Sequence, residues 1–355
     1  MTRVACAGER AREATRDTEL FLPATHSPGM ANYTVVVTDH DFEDLSIEQD
    51  ILDGIADVTA VADGVDVDDE AVREALRDAD GVLNLRHDLD AADIEAAADC
   101  RIVARYGIGV DNVDIEAATE RGIYVTNVPE YCLEEVSTHA LTLLLGLLRG
   151  LPQYQRSVAA GEWEREAAPP MHRLSTRTVG VVGFGAIGRT VADSLGSLAG
   201  DVIASDPFVD SETMAEHGVE KVEFETLLDR ADAVTIHSPL TDETRGLFDE
   251  GAFERMRDDA VLVNVARGPI VDVDALLAAL DAGEIGGAGL DVFPTEPPAA
   301  DHPLCDHERV LVTPHVAWYS EEANSERRWT AAENVRAALQ GETPADVVND
   351  VKKWL

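Results

Sequence analysis

The segment TVGVVGFGAIGRTVADSLGSLAGDVIASD, residues 178–206, sets a β-branched run before three glycines, a helical stretch after them, and a second β-branched run ending in an acid. A strand, a tight turn, a helix and a return strand follow from that order. Gly183 permits the turn, Gly185 lets a phosphate approach the backbone, and Gly188 lets helix and strand pack closely; the helix N-terminus at Ala186 and Ile187 faces the phosphates. G-x-G-x-x-G alone also describes an ordinary glycine turn. Its place between strand and helix, with Asp206 closing the next strand, favours a dinucleotide cradle. A carboxylate at Asp206 can bind both ribose hydroxyls and repels a 2′-phosphate, so the expected cofactor is NAD rather than NADP.

The same alternation recurs on both sides. Downstream stand AVTIH (233–237), AVLVNVA (260–266), GGAGLDVF (286–293) and VLVTPH (310–315). Upstream stand TVVVTD (34–39), VTAVA (58–62), GVLNL (81–85), RIVARYG (101–107) and IYVTNV (123–128), with acidic helical stretches between them. Such series predict parallel sheets with crossover helices, and 355 residues accommodate two domains with a core each. EYCLEEVSTHALTLLLGLLRG (130–150) reads as a helix starting after Pro129 and stopped by Gly150. Apolar on most faces, it has to be buried on several sides, at a domain crossover or a subunit contact. A long helix over 320–339 can pack back on the first series. The expected fold class is α/β with two domains: a Rossmann-type doubly wound parallel sheet over 129–319, the NAD-binding domain, inserted into a flavodoxin-like substrate domain of residues 30–128 plus 320–355. The residues after His315 are too few for an added regulatory domain. Residues 1–29 carry neither a structural period nor the apolar region of a secretory signal, and are expected to be a disordered extension; translation starting at Met30 would explain them.

The chain carries 28 lysines and arginines against 69 aspartates and glutamates, a formal charge of −41, and its only lysines are Lys221, Lys352 and Lys353. That surface repels nucleic-acid phosphates and anionic lipid, which sets both aside as partners. With 45% hydrophobic residues in strand-like runs, the acid belongs to a folded protein's surface. Charge of this size is self-repulsive in dilute salt, so a halophilic, cytoplasmic protein is expected. Cys6, Cys100, Cys132 and Cys305 show neither CxxC nor metal-ligand spacing, which reads as reduced thiols and no metal. No apolar run reaches the roughly 18 residues of a membrane span. A homodimer is the expected assembly, being the commonest symmetric state.

With a nicotinamide cofactor expected, reducing a carbonyl substrate needs a cation for its negative charge, a proton donor beside the forming alkoxide, and a hydride source. Arg267 follows the buried-looking run AVLVNVA and so emerges at a strand's carboxyl end, where α/β clefts form. A lone arginine is otherwise read as a surface ion pair. His315 ends the run VLVTP and is the natural acid in reduction and base in oxidation. Glu296 lies in the stiff apolar loop DVFPTEPP; it could bond the imidazole's other nitrogen and hold its tautomer, or be a plain surface glutamate. Gly107, Ile108 and Gly109 sit where RIVARY ends, and their unhindered N–H groups could bind the substrate carboxylate opposite Arg267, although an ordinary strand-to-helix turn has the same composition. Three histidines compete with His315. His237 ends the run AVTI, His139 lies in the apolar helix and reads as a satisfied buried histidine, and His87 could face the cleft from the first domain.

Four motifs in order resemble the D-isomer-specific 2-hydroxyacid dehydrogenases: RYGIGVDNVDIEAATERGIYVTNVP (105–129), VNVARGPIVD (263–272), GLDVFPTEP (289–297) and TPHVAWYS (313–320). The resemblance spans residues 33–339. Trp318, just after the histidine, is similar to the branch containing the corepressor called C-terminal binding protein. The resemblance implies an NAD-dependent dehydrogenase moving a hydride between NAD(H) and C2 of a D-2-hydroxy acid or 2-keto acid, with Arg267, Glu296 and His315 as catalytic residues. By the same resemblance Ile108, His237, Ser238, Pro239, Thr244, Val265 and Ala266 neighbour the cofactor. Asp291 resembles the acid that holds the nicotinamide amide, unless it is a structural cap, and Trp318 walls the substrate pocket, unless it is core packing. The alternative is an NAD(H)-sensing, corepressor-like interaction protein with vestigial catalysis, supported by Trp318 alone. Glu296 argues against a formate dehydrogenase, whose members carry glutamine there, and phosphoglycerate oxidation is less expected without a regulatory domain.

Overall fold

The computed structural model describes residues 33–62, 64 and 67–351; the extension 1–29, the Met30 start, Cys6 and residues 352–355 lie outside them. Strands β1 (Tyr33–Val37), β2 (Ala56–Ala60), β3 (Gly81–Asn84), β4 (Ile102–Arg105) and β5 (Tyr124–Thr126) form a parallel sheet in the order β2-β1-β3-β4-β5, the flavodoxin-like order. A second parallel sheet takes β6 (Thr178–Val182), β7 (Asp201–Ser205), β8 (Glu220–Lys221), β9 (Ala233–Ile236), β10 (Val261–Asn264), β11 (Gly287–Leu290) and β12 (Val310–Val312) in the order β12-β11-β10-β9-β6-β7-β8. Its order reverses between β6 and β9, and the crevice outside the carboxyl ends at such a reversal is where doubly wound sheets take their ligands. Central strands such as β3, β9, β10 and β11 are buried along their whole length, as expected of sheets covered by helices on both faces.

The crossover helix is Leu133–Leu148, starting later than Pro129 because residues 130–132 turn first and the apolar period, Val136, Ala140, Leu143, Leu144 and Leu147, begins only beyond them. It packs on β9 to β12 and on the helix Ala186–Leu195. At its end Gly150, with φ 60°, turns the chain into the helix Leu151–Ala159. The last helix, Glu321–Leu339, is capped by Ser320, whose hydroxyl accepts from the Ala323 N–H at 2.9 Å. It packs back on β3, β4 and β5, burying Ala331, Val335, Ala338 and Leu339. Two arginines go into the interior with it. Arg328 forks onto Glu48 at 2.9 and 2.6 Å, and Arg327 reaches Asp41 at 2.7 Å; paired and hydrogen-bonded, such charges survive burial. Among the described residues no helix is long and apolar enough to cross a membrane, and no group of three or more His, Cys, Asp or Glu could hold a metal ion.

Candidate active site

After β6 the three glycines differ in what surrounds them. Gly183 has φ 90°, and a Cβ there would lie 2.7 Å from the backbone of His237 and Ser238. At Gly188 it would lie 2.2 Å from the Gly183 carbonyl, while at Gly185 it would meet nothing within 4 Å. The turn, the close packing and the open approach thus fall on the expected glycines. Gly185 also stands before the helix Ala186–Leu195 with no side-chain cap, leaving the first-turn N–H groups and the positive dipole end for an anion. Asp206 accepts from the Phe184 and Phe208 N–H groups at 2.8 Å each, which fixes its carboxylate at the rim of this cradle. The loop 207–210 holds no lysine or arginine of its own, and the Lys221 ammonium that reaches it is bonded to the Val209 carbonyl at 2.6 Å. The cradle fits NAD.

On the other side of the reversal β10, β11 and β12 are neighbours, and their carboxyl ends lead to Arg267, Asp291 and His315. The His315 Nδ1 is 2.6 Å from Glu296 Oε2, and the other Glu296 oxygen accepts from the Phe293 N–H at 2.9 Å. Burial works to raise the Glu296 carboxyl, but the hydrogen bond and charge of His315 outweigh it and hold it below the usual carboxylate value. An ionised Glu296 makes Nδ1 the protonated nitrogen. The ring's Nε2, on a side chain 40% exposed, makes no hydrogen bond among the described residues.

The Arg267 guanidinium crosses to the first sheet. Its Nε donates to Asp111 Oδ1 at 3.0 Å and its Nη1 to the Ala266 carbonyl at 2.8 Å. It lies so close to the loop 107–109 that a Cβ on Gly109 would stand 1.5 Å from Nη2. Burial opposes ionisation of Asp111, yet Arg267 holds its carboxyl below the usual value. A second guanidinium supports the loop from below: Arg105 Nε donates to the Gly109 carbonyl at 2.9 Å and Nη1 to Asn84 Oδ1 at 3.1 Å. Burial pulls Arg105 down to about 10, so it stays charged at neutral pH. The Ile108 carbonyl accepts from Asn127 Nδ2 at 2.8 Å, and the Gly107 carbonyl from the Val128 N–H at 3.0 Å. These bonds occupy the carbonyls of the loop, and its N–H groups are not among the donors they use. Neither Asp111 nor Arg105 stands out in the sequence, although both lie in RYGIGVDN, where the signal is a charged pair flanking the glycines.

The remaining candidates fall into place around these. His237 is half-buried and bonds Thr235 Oγ1 through Nε2 at 2.9 Å, and desolvation of its ring pushes it down to about 3, so it is neutral near neutral pH. Ser238, Pro239 and Thr244 form the loop after β9, closed by the Thr244 hydroxyl on the Pro239 carbonyl at 2.7 Å. Val265 and Ala266 link β10 to Arg267. Asp291 is enclosed, and its carboxylate accepts from Thr313 Oγ1 at 2.6 Å and from the Val316 and Ala317 N–H groups at 2.9 Å each; it clamps the segment carrying His315. Trp318 donates from Nε1 to the His315 carbonyl at 3.0 Å and stacks under Arg327 at 3.8 Å. The His87 carbonyl accepts from Asn84 and Asn112, while its Nε2 is buried without a partner.

Residues 141–317 match the family model described as D-isomer specific 2-hydroxyacid dehydrogenase, NAD binding domain. Over 281 residues the chain is 41% identical to the D-3-phosphoglycerate dehydrogenase of Archaeoglobus fulgidus, covering 79% of this chain and 53% of that protein; the chain spans about half of that relative's length. A crystal structure of the D-lactate dehydrogenase of Aquifex aeolicus, complexed with NAD and lactic acid, superposes with a TM-score of 0.78 at 27% identity, over 87% of this chain and 96% of that one. The glyoxylate reductase of Korarchaeum cryptofilum is 40% identical over 284 residues, 79% of this chain and 86% of its own. Agreement that runs so nearly end to end in a relative has one reading: the chain belongs to the D-isomer-specific 2-hydroxyacid dehydrogenase family.

Proposed function

We propose that the protein is an NAD-dependent dehydrogenase that moves a hydride between NAD(H) and C2 of a D-2-hydroxy acid or 2-keto acid. The observation carrying this reading is the Glu296–His315 pair at 2.6 Å, on the same carboxyl edge as an Arg267 that bonds Asp111 and lies against Gly109. Bound NADH supplies the hydride. Arg267 and the N–H groups of the loop 107–109 hold the substrate carboxylate, and the guanidinium polarises the carbonyl as negative charge grows on its oxygen. His315 Nε2 gives that oxygen its proton, and Glu296 fixes the ring through Nδ1. In oxidation His315 takes the proton back. Asp206 favours NAD over NADP.

The relatives' names point to both glyoxylate and a phosphorylated hydroxy acid, so the experiment is a panel. Glyoxylate, hydroxypyruvate, pyruvate and a branched 2-keto acid are offered with NADH and NADPH, and D-3-phosphoglycerate with NAD. Turnover of at least one acid, with NADH preferred, is the expected result. No turnover of any would sink the dehydrogenase reading, and equal use of NADPH would sink the role of Asp206. The corepressor-like alternative rests on Trp318, whose hydrogen bond to the His315 backbone gives it a place within an enzyme site.

The assembly we propose is a homodimer in a salt-rich cytoplasm. Residues 149–177 hold five arginines against three glutamates in a chain of −41, and they expose Leu151, Val158 and Trp163. That is where two such acidic chains repel each other least while covering apolar surface. Cys100, Cys132 and Cys305 are free thiols, which suits a reducing compartment. Raising KCl from low to multimolar concentration is expected to raise the thermal midpoint, by screening self-repulsion, and to keep a dimer in sedimentation; an unchanged midpoint, or a monomer throughout, refutes the corresponding part.

A further inference from the structure

His315 is the one residue of the proposed catalytic set held in the left-handed region, with φ 54°, a conformation that non-glycine residues keep only when their surroundings impose it. What imposes it is Asp291. Its main-chain carbonyl accepts from the His315 N–H at 2.8 Å, and its carboxylate oxygens accept from the next two N–H groups. That carboxylate is almost fully enclosed, at 1% exposure. A buried ionised carboxylate needs hydrogen bonds and a compensating charge or dipole. No lysine or arginine stands within ion-pair distance among the described residues; the side chain that does is His139, its Nε2 3.7 Å from Asp291 Oδ1.

The link between them runs in one direction. Thr313 Oγ1 has a single proton, and it donates that proton to Asp291 Oδ1 at 2.6 Å. The 2.9 Å contact between His139 Nε2 and Thr313 Oγ1 therefore has the imidazole as donor. The donor chain reads His139 Nε2–H to Thr313 Oγ1–H to Asp291, and each step orients the next. His139 is itself held in place, because Gly289 lets the crossover helix approach β11 closely: a Cβ at Gly289 would lie 3.1 Å from Leu143 Cβ, one turn along from His139.

We propose that His139, with Thr313, is a positioning residue for the reaction: it orients and stabilises the Asp291 carboxylate, which holds His315 in the turn that presents its ring to the substrate. This rests on the dehydrogenase reading above. His139 touches neither substrate nor reacting atoms, so removing its donor costs turnover rather than binding. It also ties the crossover helix to the proton donor, so that movement of the helix between the two sheets is felt at His315.

The test compares H139L and T313V, which break the donor chain, with H139Q and T313S, which keep a donor at each place. In the broken pair kcat for 2-keto acid reduction is expected to fall about 10-fold or more, with KM and the NADH Kd from fluorescence titration within about twofold; H139Q and T313S restore most of the loss. An activity-independent readout is the downfield proton resonance of the His315 Nδ1–Glu296 hydrogen bond, assigned by its absence in H315A. It is expected to shift or broaden in H139L and T313V and to return in H139Q and T313S. Loss confined to thermal stability or KM, equal loss in H139L and H139Q, or an unmoved resonance in T313V overturns the proposal. A wild-type chain inactive on every acid overturns the dehydrogenase reading instead, and the resonance still reports on the positioning.

Discussion

Replacing His315 by alanine is expected to lower kcat for 2-keto acid reduction by about 10²- to 10⁴-fold, the range that a positioned general acid supplies, with the NADH dissociation constant unchanged. The effect is large because the site holds no substitute. His237 is the other histidine at a strand end of the same sheet, and desolvation pushes it down to about 3, so near neutral pH it is the neutral imidazole and not the imidazolium acid the step needs. His139 has its Nε2 turned to Thr313. Glu296 loses in this variant the partner that holds its carboxyl down, but its Oε1 stays fixed on the Phe293 N–H, which keeps it in its own loop, the ring's anchor in the parent rather than a donor to the substrate. Cofactor binding survives because the glycine cradle after β6 and Asp206 lie on the other side of the strand-order reversal. Stopped-flow NADH oxidation for kcat and fluorescence titration for binding separate the two. An alanine variant within threefold of the parent would remove His315 from the mechanism.

The strand ends to which we assign this chemistry were legible because buried parallel strands are written as β-branched runs, and a polar residue just past such a run sits at a carboxyl edge. Arg267 and His315 were found in that way. The two-residue strand Glu220–Lys221 was not, because at the sheet's edge it has no apolar run to mark it. The glycine cradle was legible position by position, since each glycine answers a different steric demand. Contacts between the two sheets were not. Asp111 and Arg267 are 156 residues apart, and nothing in either local pattern says that they meet. Asp291 shows the limit most clearly. Its place after β11 could be read, but which groups its carboxylate receives depends on the turn at His315, which composition does not announce. The sequence allows Trp318 either the pocket wall or core packing, and its indole N–H on the His315 carbonyl gives it a third task.

The contact between Arg267 and the loop 107–109 leads to the other large effect: Gly109→Ala is expected to cut kcat/KM for the keto acid by about 10²- to 10³-fold while leaving the fold intact. The added methyl would stand 1.5 Å from Arg267 Nη2 and 2.8 Å from both Cζ and Asp111 Oδ1. All three are atoms of side chains, and Gly109 does not need the left-handed backbone. The clash is therefore relieved by the guanidinium swinging away rather than by the backbone moving, and stability changes by no more than about 1 kcal/mol, since alanine also restricts the unfolded chain. The swing takes Arg267 off Asp111, and with it the cation we propose holds the carboxylate and polarises the carbonyl; a misplacement of about 1 Å is enough for a loss of this order. Two controls isolate the cause. At Gly107 the same methyl meets only Arg105 Nη2, at 3.9 Å, an ordinary contact, so Gly107→Ala is expected to stay within about fivefold of the parent, well short of the loss that displacing a guanidinium brings. In an Arg267→Gln background Gly109→Ala adds little further loss, because the two changes remove one interaction and cannot add. Equal activity of the two glycine variants, or full additivity with Arg267→Gln, would mean that Arg267 does its work from somewhere other than the loop against which it rests.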